Sequence, residues 1–487
     1  MQSLTIGMIQ SEISSLDPLH DEQFHSDDIS AGKMFCKIIS PWYRYNVTAI
    51  SWMFYDGKRW VKDEGDASVE KAAQSFQRAL AVYCVLNIPE PKKQSDEEKA
   101  FSKFTNKLAN RSHRVTMIKD AAPYLSISYS DLDKENDLLN CLNGTLNLRT
   151  LEFREHNQED MLSMTTGCNY DPNARCDAWI NFLDQIMEGD KGKISYLQKI
   201  CGYALTADIS QEQSFILYGS TSRNGKSTFL ETIGAMMGDY SITANPAIFE
   251  DRTKNSSNAS PDIAALDGKR LIRISEIPRR MLFNSSLFKQ LTGGDKLRAR
   301  FLYEDGFDFR PVGKFVFNTN HLPVINDNSV FASDRLKVIE FNRHFNESEQ
   351  DKTLKGRLTQ PEELSGILNW CIQGLTAYLD EGLVPPNAVQ IATENFHSDS
   401  DKLHNFIKEC MDDDIHYSIT MKEAYAAYVI WCRENGYGTD SKSSFKADLQ
   451  SRGLLKNTGT VRGKTVYNVI PGYDLTQDFQ NEHFAEL

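Results

Sequence analysis

Two spacings of apolar residues alternate along this chain, and each change of spacing marks a new element. Residues 68–88 carry Val69, Ala72, Phe76, Leu80, Val82 and Leu86 at helical intervals, and residues 100–125 return to the same period. Between them PEPKKQSDEEK (89–99) is polar and reads as a loop or linker. Asp56-Gly57 within YDGKRW predicts a hairpin turn, and residues 138–156 predict strands around a turn near Asn143-Gly144. DAWINFLDQIM (177–187) and ISYLQKICGYALT (194–206) have the i, i+3, i+4 spacing of two packed helices. The pattern then shortens. Residues 215–218, 271–276, 313–320 and 335–341 are brief apolar or β-branched runs, which predict strands. Residues 424–437 and 443–454 are helical again, and 461–470 reads as a basic hairpin. Ahead of all this, residues 1–30 are acidic and Ser-rich, and predict a mobile lead-in.

The segment SFILYGSTSRNGKSTFL (214–230) joins three of these features. An apolar strand runs into a loop of small polar residues, then Gly225, Lys226, Ser227 and Thr228. A helical stretch with Phe229, Leu230, Ile233, Met236 and Met237 follows. Strand, Gly/Ser loop, GK[ST] and helix is the pattern of a phosphate-binding loop. Backbone N–H groups at a helix N-terminus cradle phosphates, where the helix dipole also favours negative charge. Lys226 supplies a point charge for the β- and γ-phosphates, and the Ser227 hydroxyl takes a place on Mg²⁺. Gly219, Asn224, Gly225, Lys226, Ser227 and Thr228 are the candidate ATP-binding residues. The spacing departs from G-x4-GK, because five residues separate Gly219 from Gly225 and Ser220 stands at the first-glycine position. Either the loop is one residue longer, or Ser220 takes the backbone geometry that glycine adopts at low cost. A plain turn between strand and helix is the alternative, but GKST directly after an apolar strand is hard to reach by accident.

Later strand ends carry further candidates. LIRISE ends on Glu276, 50 residues after Lys226, where an acid can reach the Mg²⁺ shell or polarise the attacking water. Ser275 stands where many such sites have a second acid. GKFVFNTN ends on Asn320, which can orient the lytic water or touch the γ-phosphate; an asparagine in a strand-end turn is the other reading. Arg335 begins the fourth strand, where a guanidinium offered to a neighbouring subunit would stabilise transition-state charge, against an ordinary surface ion pair. FKQLTGGDKLRAR (288–300) carries Lys289, Lys296, Arg298 and Arg300 against Asp295, a net of +3. It reads as a mobile basic loop or hairpin presented to phosphate backbone, or as a solvated turn.

Charge and composition narrow these readings. A net charge of −13 over 487 residues argues against a protein that coats nucleic acid with its whole surface, and leaves local basic sites open. A second such site is 441–466, where Lys442, Lys446, Arg452, Lys456, Arg462 and Lys464 oppose Asp448, a net of +5. Nine cysteines without C-x2-C spacing read as reduced thiols, not a disulfide framework or zinc site. No run of about 18 apolar residues and no signal-peptide pattern occurs, so the expectation is a cytoplasmic protein, of a bacterial host, with no membrane span. Ser112-His113 and the pair Asp131 and Asp133 suggest fragments of a primase site. The Ser and His are adjacent, however, and the fragments come in reverse order, which favours a solvated turn.

YGSTSRNGKST, LDGKRLIRISE, FKQLTGGDKLRARFLYEDGFDFRP, GKFVFNTNHLP and DRLKVIEF, spanning about 215–341, together resemble the superfamily 3 helicases, and most closely the phage and plasmid primase-helicase family. Weaker similarity runs through LNGTLNLRTLEF and NYDPNARCDAWINFL. The resemblance implies an α/β fold: a P-loop AAA+-type motor domain with an N-terminal α+β domain and a C-terminal winged-helix-like domain. The expected divisions are a lead-in at 1–30, the α+β domain at 31–160, a helical connector at 161–210, the ATPase at 211–390 and the winged-helix-like domain at 391–487. ATP and Mg²⁺ are the implied ligands. Glu276 would be the Walker B acid, Asn320 the sensor and Arg335 the arginine finger, although Asp334-Arg335 stands where the family often has paired arginines. Lys296, Arg298 and Arg300, with Lys289 beside them, would line a channel holding DNA. The family further implies a homo-oligomeric ring, usually a hexamer, moving 3′ to 5′ on single-stranded and forked DNA during replication of a phage, plasmid or other mobile element. No primase domain is recognisable, so a separate primase or polymerase is the expected partner. An origin-remodelling factor or helicase loader without processive unwinding, and a non-enzymatic origin-binding protein, fit the same motifs.

Overall fold

The computed structural model describes residues 4–483 apart from 251–260, 279–280, 282, 303, 324, 326–328 and 436. It divides into two units, one of 1–323 with 333–390 and one of 324–332 with 391–487.

The first unit begins with a helix, not with a mobile lead-in. The presumed lead-in holds the helix Ile6–Leu16, capped by Thr5, whose hydroxyl accepts the Met8 N–H. Ile9 and Ile13, both 0% exposed, pack into one core with the helix Ala67–Asn87. Three serines and a glutamate interrupt the apolar residues, yet the i, i+4 apolar pair decides the structure. The supposed linker at 89–99 likewise ends in order. Ser95 and Glu98 form a capping box that starts the helix Asp96–Lys107. The strands Ser51–Tyr55 and Trp60–Lys62 turn at Asp56-Gly57 with Tyr55 opposite Trp60, as the hairpin pattern predicts. A small antiparallel sheet (Leu138–Cys141, Gly144–Asn147, Phe153–Arg154) buries Leu139, Cys141 and Leu146 in the core of the region after it, so a boundary at 160 cuts through shared packing.

That region is built on a parallel sheet whose strands we number β1 (Ser214–Tyr218), β2 (Ser241–Ala244), β3 (Leu271–Ser275), β4 (Lys314–Thr319) and β5 (Leu336–Glu340), in the spatial order β5-β1-β4-β3-β2. β1, β4 and β5 are buried along most of their length, as strands covered on both faces are. The helix α1 (Lys226–Met237) follows β1, and the helices Asp177–Ile186, Lys191–Leu205 and Pro361–Glu381 pack into the same core. Trp179 stacks on Phe229 of α1 at 5.3 Å and meets Trp370 edge-on at 5.6 Å. The segment predicted as a connector is therefore part of the sheet's core. Ser275 pairs with Asn318, and Thr319 with Tyr218, so β1, β3 and β4 finish at one level.

The opposite, amino ends of β3 and β4 hold two buried cations. Arg270 donates to the Leu205 carbonyl (2.6 Å) and the Leu138 carbonyl (2.8 Å) and lies over the Tyr240 ring. Lys314 donates to the Thr206 carbonyl (2.6 Å) and the Val312 carbonyl (3.2 Å). Residues 288–300 are not one loop. The helix α2 (Ser285–Thr292) covers the first part, and Leu297–Ala299 pairs antiparallel with Phe307–Phe309 as a hairpin.

The second unit contains, in order, the helix Lys402–Cys410, strand Met411–Thr420, helices Met421–Glu434 and Lys442–Ser451, and strands Lys456–Val461 and Lys464–Leu475. The last strand lies in the middle of its antiparallel sheet. Phe406, Tyr428, Trp431 and Phe445 form its core, so the aromatics at helical spacing pack inward. No described helix is long and apolar enough to cross a membrane. All nine cysteines are free, and eight are buried.

Candidate functional site

A cavity of about 500 Å³ opens at the level where β1, β3 and β4 end, the usual position for ligands in a parallel sheet. Its lining includes Asn224, Lys226, Ser227, Glu276, Asn318 and Asn320. Local structure explains why each arrives there. Gly225 ends the loop at φ 86°, a left-handed geometry suited to glycine, and α1 starts at Lys226. A Cβ on Gly219 would stand 2.2 Å from the Asn224 amide and 3.0 Å from Lys226 Nζ, so Gly219 is the glycine that the close approach requires. Ser220 is exposed and keeps a negative φ; the loop is one residue longer.

Lys226 is 3% exposed, and its ammonium donates to the Gly219 carbonyl (3.2 Å) and to Asn320 Oδ1 (2.8 Å). Burial pushes its pKa down to about 8, and no carboxylate offsets that effect. A desolvated cation without a counter-anion is unfavourable by itself, so the position suits a phosphate. Ser227 lies exposed on the first turn of α1, and Asn318 Nδ2 donates to its hydroxyl at 3.0 Å. Glu276 follows β3 with φ 59°, a left-handed geometry that non-glycine residues seldom adopt. Its N–H donates to the Asn318 carbonyl at 3.1 Å, which fixes the turn and leaves the exposed carboxylate at the cavity. One carboxylate and one hydroxyl suit a Mg²⁺ ion held mainly through phosphates and water.

The other candidates differ in where they lie. Thr228 is half-buried on α1 and does not line the cavity. Asn224 lines it but turns its amide back onto the Thr221 carbonyl (2.7 Å), bracing the loop. Arg335 precedes β5, at the end of the sheet away from the cavity. There it donates to Thr292 Oγ1 (2.8 Å) and the Lys289 carbonyl (3.4 Å) and pairs with Glu212. Lys289 is on α2, Lys296 pairs with Asp308 at 3.0 Å, and Arg298 and Arg300 are exposed. The hairpin is held at its turn: Glu304 accepts from Lys62 Nζ (2.8 Å) and Tyr129 (2.9 Å), and Tyr129 lies 5.0 Å from the Phe307 ring.

Sequence reasoning missed Asn318, Glu304 and Tyr129, whose partners are distant in the chain. It also passed over Arg273, although a charge inside LIRIS was a visible signal. Asp131 and Asp133 are scaffolding: Asp131 accepts from Ser128 and Lys134, and Asp133 caps the Ser163 N–H at 2.8 Å.

Three family models match successive parts of the chain. "D5 N terminal like" covers residues 32–188, a family of unknown function covers 217–335, and "Poxvirus D5 protein-like" covers 398–480. "Putative helicase L207/L206" of Acanthamoeba polyphaga mimivirus is 26% identical over 362 residues, 69% of this chain and 37% of that protein. "Putative helicase 121R" of Invertebrate iridescent virus 3 is 27% identical over 252 residues, 49% of this chain and 26% of its own. The chain thus spans well under half the length of these relatives. Among solved structures, the apo NrS-1 C terminal region aligns over 88% of this chain and 96% of that one, at 11% identity and a TM-score of 0.47.

Proposed function

We propose that this member of the phage primase-helicase family is an ATP-dependent DNA helicase acting in the replication of a virus, phage, plasmid or other mobile element. The observation that carries the reading is Lys226, a buried ammonium with no carboxylate, at the head of α1 where three parallel strands converge. The family matches at both ends of the chain and the names of the viral relatives favour a helicase over other nucleotide hydrolases.

In this reading the loop N–H groups and Lys226 hold the triphosphate, while Gly219, Asn224 and Gly225 set the path of the loop and Thr228 continues the helix. Ser227 and Glu276 would hold Mg²⁺, which supplies positive charge over the β- and γ-oxygens. Glu276 is the acid available to polarise the attacking water. Asn320 starts out bonded to Lys226 and exchanges that bond for a phosphate contact, so it reports whether the site is filled. Arg335 would serve the site of a neighbouring subunit in a ring, once Glu212 releases it. Lys289, Lys296, Arg298 and Arg300 would take the backbone of single-stranded DNA. The helix, strand, helix, helix, strand, strand order of the second unit supports the reading of a winged helix, in which Lys442 and Lys446 on its third helix would be a further DNA contact. A separate primase or polymerase is the implied partner.

Unwinding of a forked duplex with ATP and Mg²⁺ tests this reading. The native chain is expected to separate strands from a 3′ tail, and Lys226→Ala to abolish it. Hydrolysis without strand separation would move the assignment to an origin-remodelling factor or loader.

A further inference from the structure

Arg273 has no part in the reading above. It lies inside β3 between Ile272 and Ile274, both 0% exposed, in a strand that is otherwise built for burial. Its position shares a face with Ser275 and pairs in register with Thr243 of β2, and its side chain lines the far wall of the nucleotide cavity with Thr243 and Glu231. Among the described residues no hydrogen bond or ion pair reaches the guanidinium, and its Nε is buried without a partner. Burial lowers its pKa, and no carboxylate acts against that. Glu231 is already paired with Lys355.

The helix is shaped around this cation. A Cβ on Gly234 of α1 would fall 2.4 Å from Arg273 Cζ and 2.5 Å from Nη1, so any other residue there would displace the guanidinium. Glycine is a poor choice inside a helix, and the space it leaves is filled by Arg273.

We propose that Arg273 receives a phosphate oxyanion at the far end of the cavity, in the same subunit as Lys226. The inference rests on the phosphate-loop reading and adds a second cation to it. Two sources share this chemistry: the terminal phosphate of a bound triphosphate, and the orthophosphate left after cleavage. A guanidinium carries paired donors that can match two phosphate oxygens, a geometry that lysine lacks.

Titration of the full chain with fluorescent nucleotides tests it, using a non-hydrolysable triphosphate, ADP, and ADP with added orthophosphate. Arg273→Gln removes the charge, and Gly234→Ala displaces the guanidinium while favouring the helix. If the terminal phosphate is the source, both variants bind the triphosphate about tenfold more weakly and ADP within about twofold of wild type. If orthophosphate is the source, the triphosphate is unaffected, but wild-type ADP binding tightens with orthophosphate and the variants lose that response. Identical behaviour of wild type and both variants overturns the proposal and leaves the phosphate loop standing, as does an equal loss for every nucleotide. A wild type that binds no nucleotide overturns both readings.

Discussion

At the amino ends of β3 and β4, Arg270 and Lys314 are out of water and bonded to carbonyls of their own chain. At the carboxyl ends Lys226 is buried with two acceptors and no anion, and Arg273 is half-buried, its Nε out of water and without an acceptor among the described residues. One sheet thus carries two sets of wholly or partly desolvated cations. The satisfied set fixes the docking of residues 138 and 205–206 onto the sheet; the unsatisfied set leaves bonding capacity for something that arrives later. Burial of charge alone does not separate structure from function, whereas the count of partners does.

The largest expected effect comes from removing one cation from each set. Lys226→Met should weaken nucleotide binding by about a hundredfold or more while leaving urea unfolding unchanged or shifted to higher denaturant. Arg270→Met should do the opposite, costing about 3 kcal/mol of stability because two buried carbonyls lose their donor, with nucleotide affinity of the folded chain intact. If both variants lose both properties, the division fails.

A pH series sharpens the contrast. The lowered pKa of Lys226 means that, between about 8 and the ordinary lysine value, the unfolded chain holds more protons at this group. Its contribution to nucleotide-free stability therefore rises with pH across that window. Phosphate needs the charged form, so nucleotide affinity should fall above about pH 8, by up to about tenfold per unit. Lys226→Arg should flatten the profile in an equilibrium titration. The smallest effect belongs to Asn318→Ala, which frees the Ser227 hydroxyl: steady-state hydrolysis should fall by less than about tenfold, with no change in melting.

Much of this was legible where the signal is local. The strand at 215–218, the turn at Asp56-Gly57 and the helix after Lys226 each follow from neighbours within a few residues. The helix Ile6–Leu16 was hidden because its Ser and Glu residues outnumber the two buried isoleucines that hold it. The start of the helix at Asp96 was written in Ser95 and Glu98, and a Pro/Lys-rich approach obscured it. Asn318 and Arg273 could not be placed from spacing, since each acquires meaning only from a residue on another element: Ser227 for one, Gly234 for the other.

The clasp on Glu304 also bears on how the chain can be dissected. A fragment that starts at residue 161 would discard Lys62 and Tyr129 together, stripping the hairpin of both hydrogen bonds and baring the Phe301 and Phe307 rings. A trimmed chain would differ from the intact one, with a loose basic arm in place of an anchored one. Kinetic constants measured on it would describe the trimming as much as the protein.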